Sequence, residues 1–528
     1  MRLSALVTCL AMLGLLRLSD SRDLSTSRVR LTLTDATSGR EIPGLIRITD
    51  ADGKPIASDK LLSRGVGIEG DLPIHRWMVL PQATEIELPR GKFTITAISG
   101  LETEQAQREV DLTGQAESKL SMPLTRFHDA AAQGYRPGNT HLHLMKISRA
   151  DCDRYLCEVP LADRLDVMFL SYLERADADK EYTSNSYTTA DLAALTRQSG
   201  VVFGNGEEHR HNFAGWGEGY GHVMFLNIKQ LIQPVSIGPG IMLTGHDGLP
   251  LQRGIDQARK DGATVIWCHN EWGLEALPNW LTGRVQAQNI FDGGIRSSYK
   301  DSFYRYLNAG LRVPFSTGTD WFMYDFSRAY VRMDGELTTS HWLKQLAAGR
   351  SFITNGPLLD LRVSGRSVGD TIKLPDAGSM DVIARASGRV DFQRIELVQN
   401  GTVIATASTK PVGGHFEAEF KQSLNISKPC WLALRTPPPS VKDDLELATS
   451  TLLNELGKEL FSHTSPVYVE VAGRPMFDSQ VAKQLLEKMK FSREQLVKHG
   501  KFEDDLARER VLDVYRDGID ALEKRLAE

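Results

Sequence analysis

Residues 138–144 read GNTHLHL, and the fold turns on why two imidazoles, His141 and His143, stand one residue apart in an apolar run. Residues two apart in a strand share a face, so both rings address one point. Each alone reads as a buried histidine satisfied by a single hydrogen-bond partner. As a pair they also read as the start of a metal site, because neutral imidazole is the commonest protein ligand for one. The pair does not decide between these readings. Further ligands must come from the ends of neighbouring strands.

Strand-like and helix-like stretches alternate around this segment over residues 128–356. DVMFLS (166–171) precedes a helical TADLAALTRQS (189–199), and VVFGNGEE (201–208) is followed by HVMFLN (222–227). The helix LQRGIDQARKDG (251–262) leads into TVIWCHN (264–270), and the helix SFYRYLNAG (302–310) into RVPFSTGTD (312–320). Such alternation predicts a parallel sheet or barrel with helices outside and chemistry at the strand ends.

The flanks differ. Over 28–127, Val29, Leu31 and Leu33 alternate with polar residues, and DADG (50–53) is a turn signal, predicting a small β-sandwich. Its LPRGKFTI turn and strand resembles the carboxypeptidase-regulatory, prealbumin-like modules. Residues 357–474 read as a second sandwich. Residues 476–528 read as a helical hairpin packed on the body. Asp478 caps its first helix, a Ser492/Gln495 capping box opens the next, and Tyr515, Ile519, Leu522 and Leu526 form the buried stripe.

The chain's 528 residues suffice for about three domains at ~150 residues each. A net charge of −5 gives no basic field for nucleic acid. At the N-terminus, Arg2 precedes an apolar Leu6–Leu16 core, shorter than the ~20 residues a membrane span needs. Residues 1–22 therefore read as a signal peptide and predict a secreted or periplasmic protein; a short buried helix is the alternative. No other stretch is long and apolar enough to span a membrane. Cys152, Cys157, Cys268 and Cys430 form no disulfide framework, although Cys152 and Cys157 are close enough in sequence to pair.

Metal-ligand residue types gather at the strand ends. His141 and His143 end the first strand, Glu207 and Glu208 end VVFGNGEE, and His222 opens HVMFLN. His269 ends TVIWC and Asp320 ends RVPFSTGTD. The ordered set GNTHLHL, GEE, GYGHV, WCHN and STGTD resembles the PHP (polymerase and histidinol phosphatase) metallohydrolases, and within them the CehA/McbA-type branch. The resemblance covers about residues 135–356. It implies a distorted (β/α)7 barrel between the β modules, so that the whole is a multi-domain α/β plus β chain. It also implies two or three divalent metals that hydrolyse phosphoesters or, in the CehA branch, carbamates or esters.

By position, His141, His143 and Asp320 would hold one metal, Glu208 would bridge, and His222 and His269 would complete a second. Glu207 competes for the bridge, since strand alternation lets only one of the two acids face the pocket. Three family features are absent. Ser171, Tyr172 and Leu173 stand where a TDH is expected, Trp321 and Phe322 follow Asp320 in place of D-x-H, and the histidine after H-x-H is missing. These groups mostly serve a third metal, so a binuclear or mononuclear centre of Zn, Mn or Fe(II) is expected; Glu174, Asp151 or Asp153 could rebuild a third site.

The expected reaction is hydrolysis of an ester, amide or carbamate bond by metal-activated water in a small-molecule or glycan substrate, with Glu208, His246 and Arg328 as catalytic candidates. Phosphoester hydrolysis is one alternative. The other is a degenerate barrel that binds a carbohydrate or a surface. His209 and His211, on a Gly-rich stretch read as a loop, can bind substrate or be surface histidines. His246, with Asp247, can protonate a leaving group or sit in a solvated turn. Arg328 and Tyr330 can hold an anion near Asp320 or serve a structural ion pair. Trp216, Trp272 and Trp321 can form an aromatic wall or core.

Overall fold

The computed structural model describes residues 26–174, 181–213, 216–237, 246–270, 273–295, 297–300, 303–440 and 452–528, without the side chains of 212, 213 and 216–218. The leader at 1–22, Trp272 and the Trp216 ring lie outside the described residues.

Alternation builds the N-terminal sheets. Strand Thr26–Asp35 buries Val29, Leu31 and Leu33. It lies between Thr84–Pro89 and Glu117–Leu124. A second sheet centres on Gly44–Asp50 and Lys92–Ile98, and the two sheets enclose one core with Ile46, Ile48, Ile86 and Ile95.

The central strands are numbered here β1 (Tyr135–Asn139), β2 (Leu142–His143), β3 (Val167–Tyr172), β4 (Val202–Phe213), β5 (Trp216–Leu226), β6 (Thr264–Trp267), β7 (Ala287–Asn289), β8 (Phe315–Ser316) and β9 (Asp320–Trp321). β1, β3 and β4 pair in parallel. β5 is antiparallel to both β4 and β6. β6, β7 and β8 are again parallel. β9, just beyond β8, pairs in parallel with β2, just beyond β1. β2 and β9 form a two-stranded sheet of their own, while β1 also pairs antiparallel with Arg328–Arg332.

Local chemistry sets the connecting helices. Thr188 and Asp191 form a capping box for Thr189–Ser199, which Gly200 ends in the left-handed conformation that its missing Cβ permits. Helix Arg149–Ala162 is capped by Ser148. It carries Cys152 and Cys157, both free thiols. Five helical residues point two side chains well apart, so this pair does not bridge.

Three further expectations are corrected. The sheet is not parallel throughout: β4 and β5 form an antiparallel hairpin, with most of the Gly-rich stretch that was expected to be a loop inside the strands. Nor does pairing stop near residue 356, because Ser351–Thr354 pairs with Ser462–Thr464, which continues to Cys430–Arg435. The Ser492/Gln495 capping box does not form. One helix runs Ser479–His499 on a continuous apolar stripe that buries Ser492, and the break comes at Gly500, with Asp504 capping Asp505–Ala527.

Asp478 caps the first of these helices as expected, accepting from the Gln480 and Val481 amides. The hairpin packs on the central body, where Leu485, Met489, Tyr515 and Leu522 share a core with Leu277 and Trp280. Among the described residues, no helix is long and apolar enough to cross a membrane.

Candidate metal centre

Six side chains of the expected set converge on one buried point. His141, His143, His269 and Asp320 come from strand ends or the turns beside them. Glu208 and His222 come from inside β4 and β5, where the pairing continues past the ends expected for those strands. In β4, residues two apart share a face. Glu208 and Arg210 turn inward, with His222 opposite Arg210 in the register. Glu207, His209 and His211 turn the other way. His209 Nδ1 meets Glu207 Oε1 at 2.7 Å, the Ile232 amide donates to Glu207 Oε2 at 2.7 Å, and His211 Nδ1 donates to the Leu249 carbonyl at 2.8 Å. Parity therefore selects Glu208 over Glu207.

Among the described residues, His141, His143, Glu208 and Asp320 form one potential metal-holding group, Glu208, His222 and His269 a second, and His141, His269 and Asp292 a third that shares its histidines with the other two. In the first, His141 Nε2 and His143 Nε2 are 3.0 Å apart. Glu208 Oε2 lies 3.1 Å from His143 and 4.0 Å from His141. Asp320 Oδ1 lies 3.3 Å from His141 and 3.8 Å from His143. Donors on a tetrahedral ion with bonds of 2.0–2.1 Å are about 3.3 Å apart, and these separations bracket that edge. In the second group, the other Glu208 oxygen, Oε1, is 3.1 Å from His222 Nδ1 and 3.4 Å from His269 Nε2.

The outer nitrogens explain the aim of the rings. His143 Nδ1 donates to the Ser171 carbonyl at 3.0 Å, and His141 Nδ1 to Asp292 Oδ2 at 2.9 Å. With both Nδ1–H groups used in this way, two Nε2 lone pairs face each other beside two carboxylate oxygens. That point is electron-rich and calls for a proton or a metal ion.

Charge follows geometry. Burial lowers the His141 pKa, but Asp320, Asp292 and Glu208 outweigh it and raise it. His269 is raised in the same way, with Asp292 as the main opponent of burial. Burial pushes Glu208 up, yet Arg210 and the surrounding imidazoles hold it well below the usual carboxylate range. Burial keeps His143 low and takes His222 down to about 4. A cation would compete with protons here.

The backbone is strained at the same place. His269, Asn270, Phe291 and Asp320 all have positive φ, between 52° and 63°. In the β2–β9 register Asp320 stands opposite Leu142, on the face away from the histidines. Its left-handed φ of 58° redirects the carboxylate toward them. Gly318 allows the chain to approach, since a Cβ there would lie 2.6 Å from His141 Cβ.

Among the other candidates, only Trp321 adjoins this group, its ring 5.2 Å from His143 and 5.6 Å from Tyr182. His209 and His211 are buried on the opposite face of β4, not on a surface loop. His246 instead lies 3.3 Å from Glu503, and the neighbouring Asp247 accepts the Lys501 amide, so this turn seats the C-terminal hairpin. Arg328 donates to the Phe326 and Asp163 carbonyls, and Tyr330 to Glu102. Both therefore bind scaffold partners, in place of an anion beside Asp320. Asp151 bonds Ser148 at the helix N-cap, Asp153 pairs with Arg149 within the same helix, and Glu174 bonds Gln233; among the described residues none of the three joins a metal-holding group.

Asp292 escaped the sequence reading. It follows β7 in the stretch NIFDGG, an acid at a strand end like the others, and that position was the available signal.

No family model matches the chain, and no curated protein matches it. Among solved structures, a β-glucuronidase of Parabacteroides merdae aligns at 9% identity over 81% of this chain and 61% of its own, with a TM-score of 0.15. β-Glucuronidase 3 of Bacteroides uniformis aligns at 8% identity over 84% and 63%, also with a TM-score of 0.15. The chain thus spans about three fifths of these enzymes' length. Likeness at this level supports no argument about fold or activity.

Proposed function

We propose that the protein is an exported, metal-dependent hydrolase with a PHP-like barrel, holding two divalent ions (Zn, Mn or Fe(II)) and cleaving an ester, amide or carbamate bond in a small molecule or glycan. One observation carries the reading: Glu208 presents Oε2 to His143 and Oε1 to His222 and His269. A carboxylate whose two oxygens face separate imidazole groups is placed to be shared. His141, His143 and Asp320 would complete the first ion's donors, and His222 and His269 the second's. The mixed imidazole and carboxylate set suits these metals. The parallel pairing of β2 with β9, which brings the segment after β8 beside the segment after β1, supports the barrel reading.

When bound, such ions supply acidity, lowering the pKa of water toward ~7 and polarising the substrate's carbonyl or phosphoryl oxygen. The chain's own groups do the rest. Asp320 and Glu208 provide negative charge, the Ser171 carbonyl and Asp292 fix imidazole tautomers, and Trp321 offers an aromatic face beside His143. A phosphoester is the second reading. It is favoured by Arg210, a buried cation 3.9 Å from Glu208 that suits an anionic substrate.

Metal analysis with a panel of nitrophenyl esters, carbamates and phosphates tests this. About two ions per chain are expected, about one after His269→Ala, with turnover on at least one substrate class. Protein that takes up no Zn, Mn or Fe(II) sinks the metal reading. Loaded protein that is inert across the panel sinks the enzyme reading and leaves the carbohydrate- or surface-binding barrel.

A further inference from the structure

Asp292 is buried, and its carboxylate reaches toward both halves of the centre. Its Oδ2 accepts from His141 Nδ1 at 2.9 Å, and its Oδ1 accepts the His269 backbone amide at 2.8 Å. Oδ1 also lies 3.5 Å from His269 Nδ1, and the Asp292 carbonyl 3.3 Å from the same nitrogen. His141 belongs to the first group of donors and His269 to the second, and the two also lie with Asp292 in a third. Asp292 meets both rings through their Nδ1 atoms, on the side away from the Nε2 atoms that face Glu208. The His269 backbone, at φ 52°, is held by the 2.8 Å bond in a conformation that a non-glycine residue rarely adopts.

The loop that carries Asp292 is itself latched. The Phe291 amide donates to Asn270 Oδ1 at 3.0 Å, the Asn270 amide to the Asn289 carbonyl at 3.1 Å, and Asn270 Nδ2 to Ser297 Oγ at 3.0 Å. Gly293 adjoins Asp320, where a Cβ would stand 2.7 Å from Oδ2. The carboxylate is therefore fixed from both sides.

We infer that Asp292 is a positioning residue that couples the two metal half-sites, fixing the Nδ1–H tautomers of His141 and His269 so that both Nε2 atoms face the centre. The inference rests on the metal-binding reading. A carboxylate behind a ligating histidine sets ring orientation and raises ligand basicity, and its loss typically costs about 10–100-fold in metal affinity. Here one carboxylate stands behind two histidines of different half-sites. Its removal weakens both binding steps, whereas removal of His222 weakens only one.

The test is a Co(II) titration of metal-free protein, followed by equilibrium dialysis and visible absorption, on the wild type, His222→Ala, Asp292→Ala and Asp292→Asn. Asp292→Ala is expected to weaken both steps by about 10–100-fold while still reaching two ions at excess metal. His222→Ala weakens one step. Asp292→Asn, close in shape and safer for folding, keeps one acceptor oxygen and weakens the two steps unequally. A second readout is the 15N spectrum of histidine-labelled, metal-free protein at a pH high enough for the imidazoles to be neutral, in which two Nδ1–H imidazoles lose that form in the Asp292 variants.

Wild-type isotherms and unchanged 15N signals in both Asp292 variants overturn the inference. So does a loss of one ion that excess metal does not restore, which would make Asp292 a ligand. Failure of the wild type to bind Co(II) refutes the metal reading instead, and the tautomer readout still reports on the clamp.

Discussion

The sharpest discriminator is a pair of neighbouring substitutions, Glu208→Gln and Glu207→Gln. They are chemically identical and one residue apart, and they fall on opposite faces of β4. Glu208 lies within 3.1–3.4 Å of His143, His222 and His269. Neutralising it removes one negative charge from the electron-rich point. A unit charge pair at 4 Å is worth about 4 kcal/mol at an effective dielectric of 20. At about 1.4 kcal/mol per tenfold, metal affinity should fall on the order of 10³-fold, with turnover falling alongside it. Glu207 bonds His209 and the Ile232 amide and lies near Arg253, away from the metal-holding groups, and an amide can still accept from Ile232. Burial raises the Glu207 carboxyl to about 8, so near neutral pH it is mostly protonated. Its substitution costs at most one neutral hydrogen bond, about 0.5–1.5 kcal/mol of stability, and leaves metal affinity unchanged. Competition with a chromophoric chelator gives the affinities and thermal unfolding the stabilities. Loss of metal in Glu207→Gln with retention in Glu208→Gln would refute the assignment of faces.

Two further outcomes follow from packing and protonation. Gly318→Ala drives a Cβ to 2.6 Å from His141 Cβ and 2.7 Å from its amide, so it should cost about 1–3 kcal/mol and lower metal content, whereas Gly283→Ala, in open space at positive φ, should leave metal content untouched. His463 is buried, accepts from Tyr304 at 2.7 Å, and has its pKa pushed down to about 3 by burial and then by Arg435. Between about pH 3 and the unfolded value of ~6.5 the unfolded chain holds a proton that the folded one lacks. Stability therefore falls as pH drops through that window, by at most about 1.4 kcal/mol per unit from this group. Unfolding scans at pH 7.5 and 5 should show a smaller acid loss in His463→Gln than in the wild type; an equal loss would refute this account.

The parts of the site that were legible in sequence were those governed by local periodicity. Period two in GNTHLHL put His141 and His143 on one face, and the same period in GEEHRH turned Glu208 away from Glu207. The unread parts depend on neighbours distant in sequence. HVMFLN is a strand whether it follows a helix or a hairpin, so pattern alone could not show that β5 runs antiparallel to β4. The many glycines in the connecting stretch suggested a loop, but the strand pairing extends through most of it. His246 and Arg328 are chemically able residues whose partners, Glu503 and Asp163, come from elements far along the chain. Asp292 shares its residue type and strand-end position with Asp320, but its role shows only when His141 and His269 are brought to its two oxygens.

The departures from the family pattern acquire a physical meaning once the fold is in view. At the end of β3, where a TDH was expected, the main chain of Ser171 accepts the His143 Nδ1–H, and its hydroxyl accepts the Leu142 amide at 3.2 Å. A carbonyl there anchors a ligand without being one. At the end of β9, Trp321 pairs with His143 in the register and lays its ring beside it. Tyr182 joins the same face, 5.9 Å from His143. Where the resemblance implies ligands for a third ion, the structure has a backbone dipole and a pair of aromatic rings. An aromatic face rewards contact with apolar or sugar-ring surface, while further cations would reward phosphate. Trp321 and Tyr182 therefore weigh toward an ester, amide or carbamate on a ring-bearing substrate. Among the described side chains on the inner face of β4, Arg210 is the one that weighs toward phosphate. Which influence prevails is decided by whether binding follows the charge of the substrate or its ring.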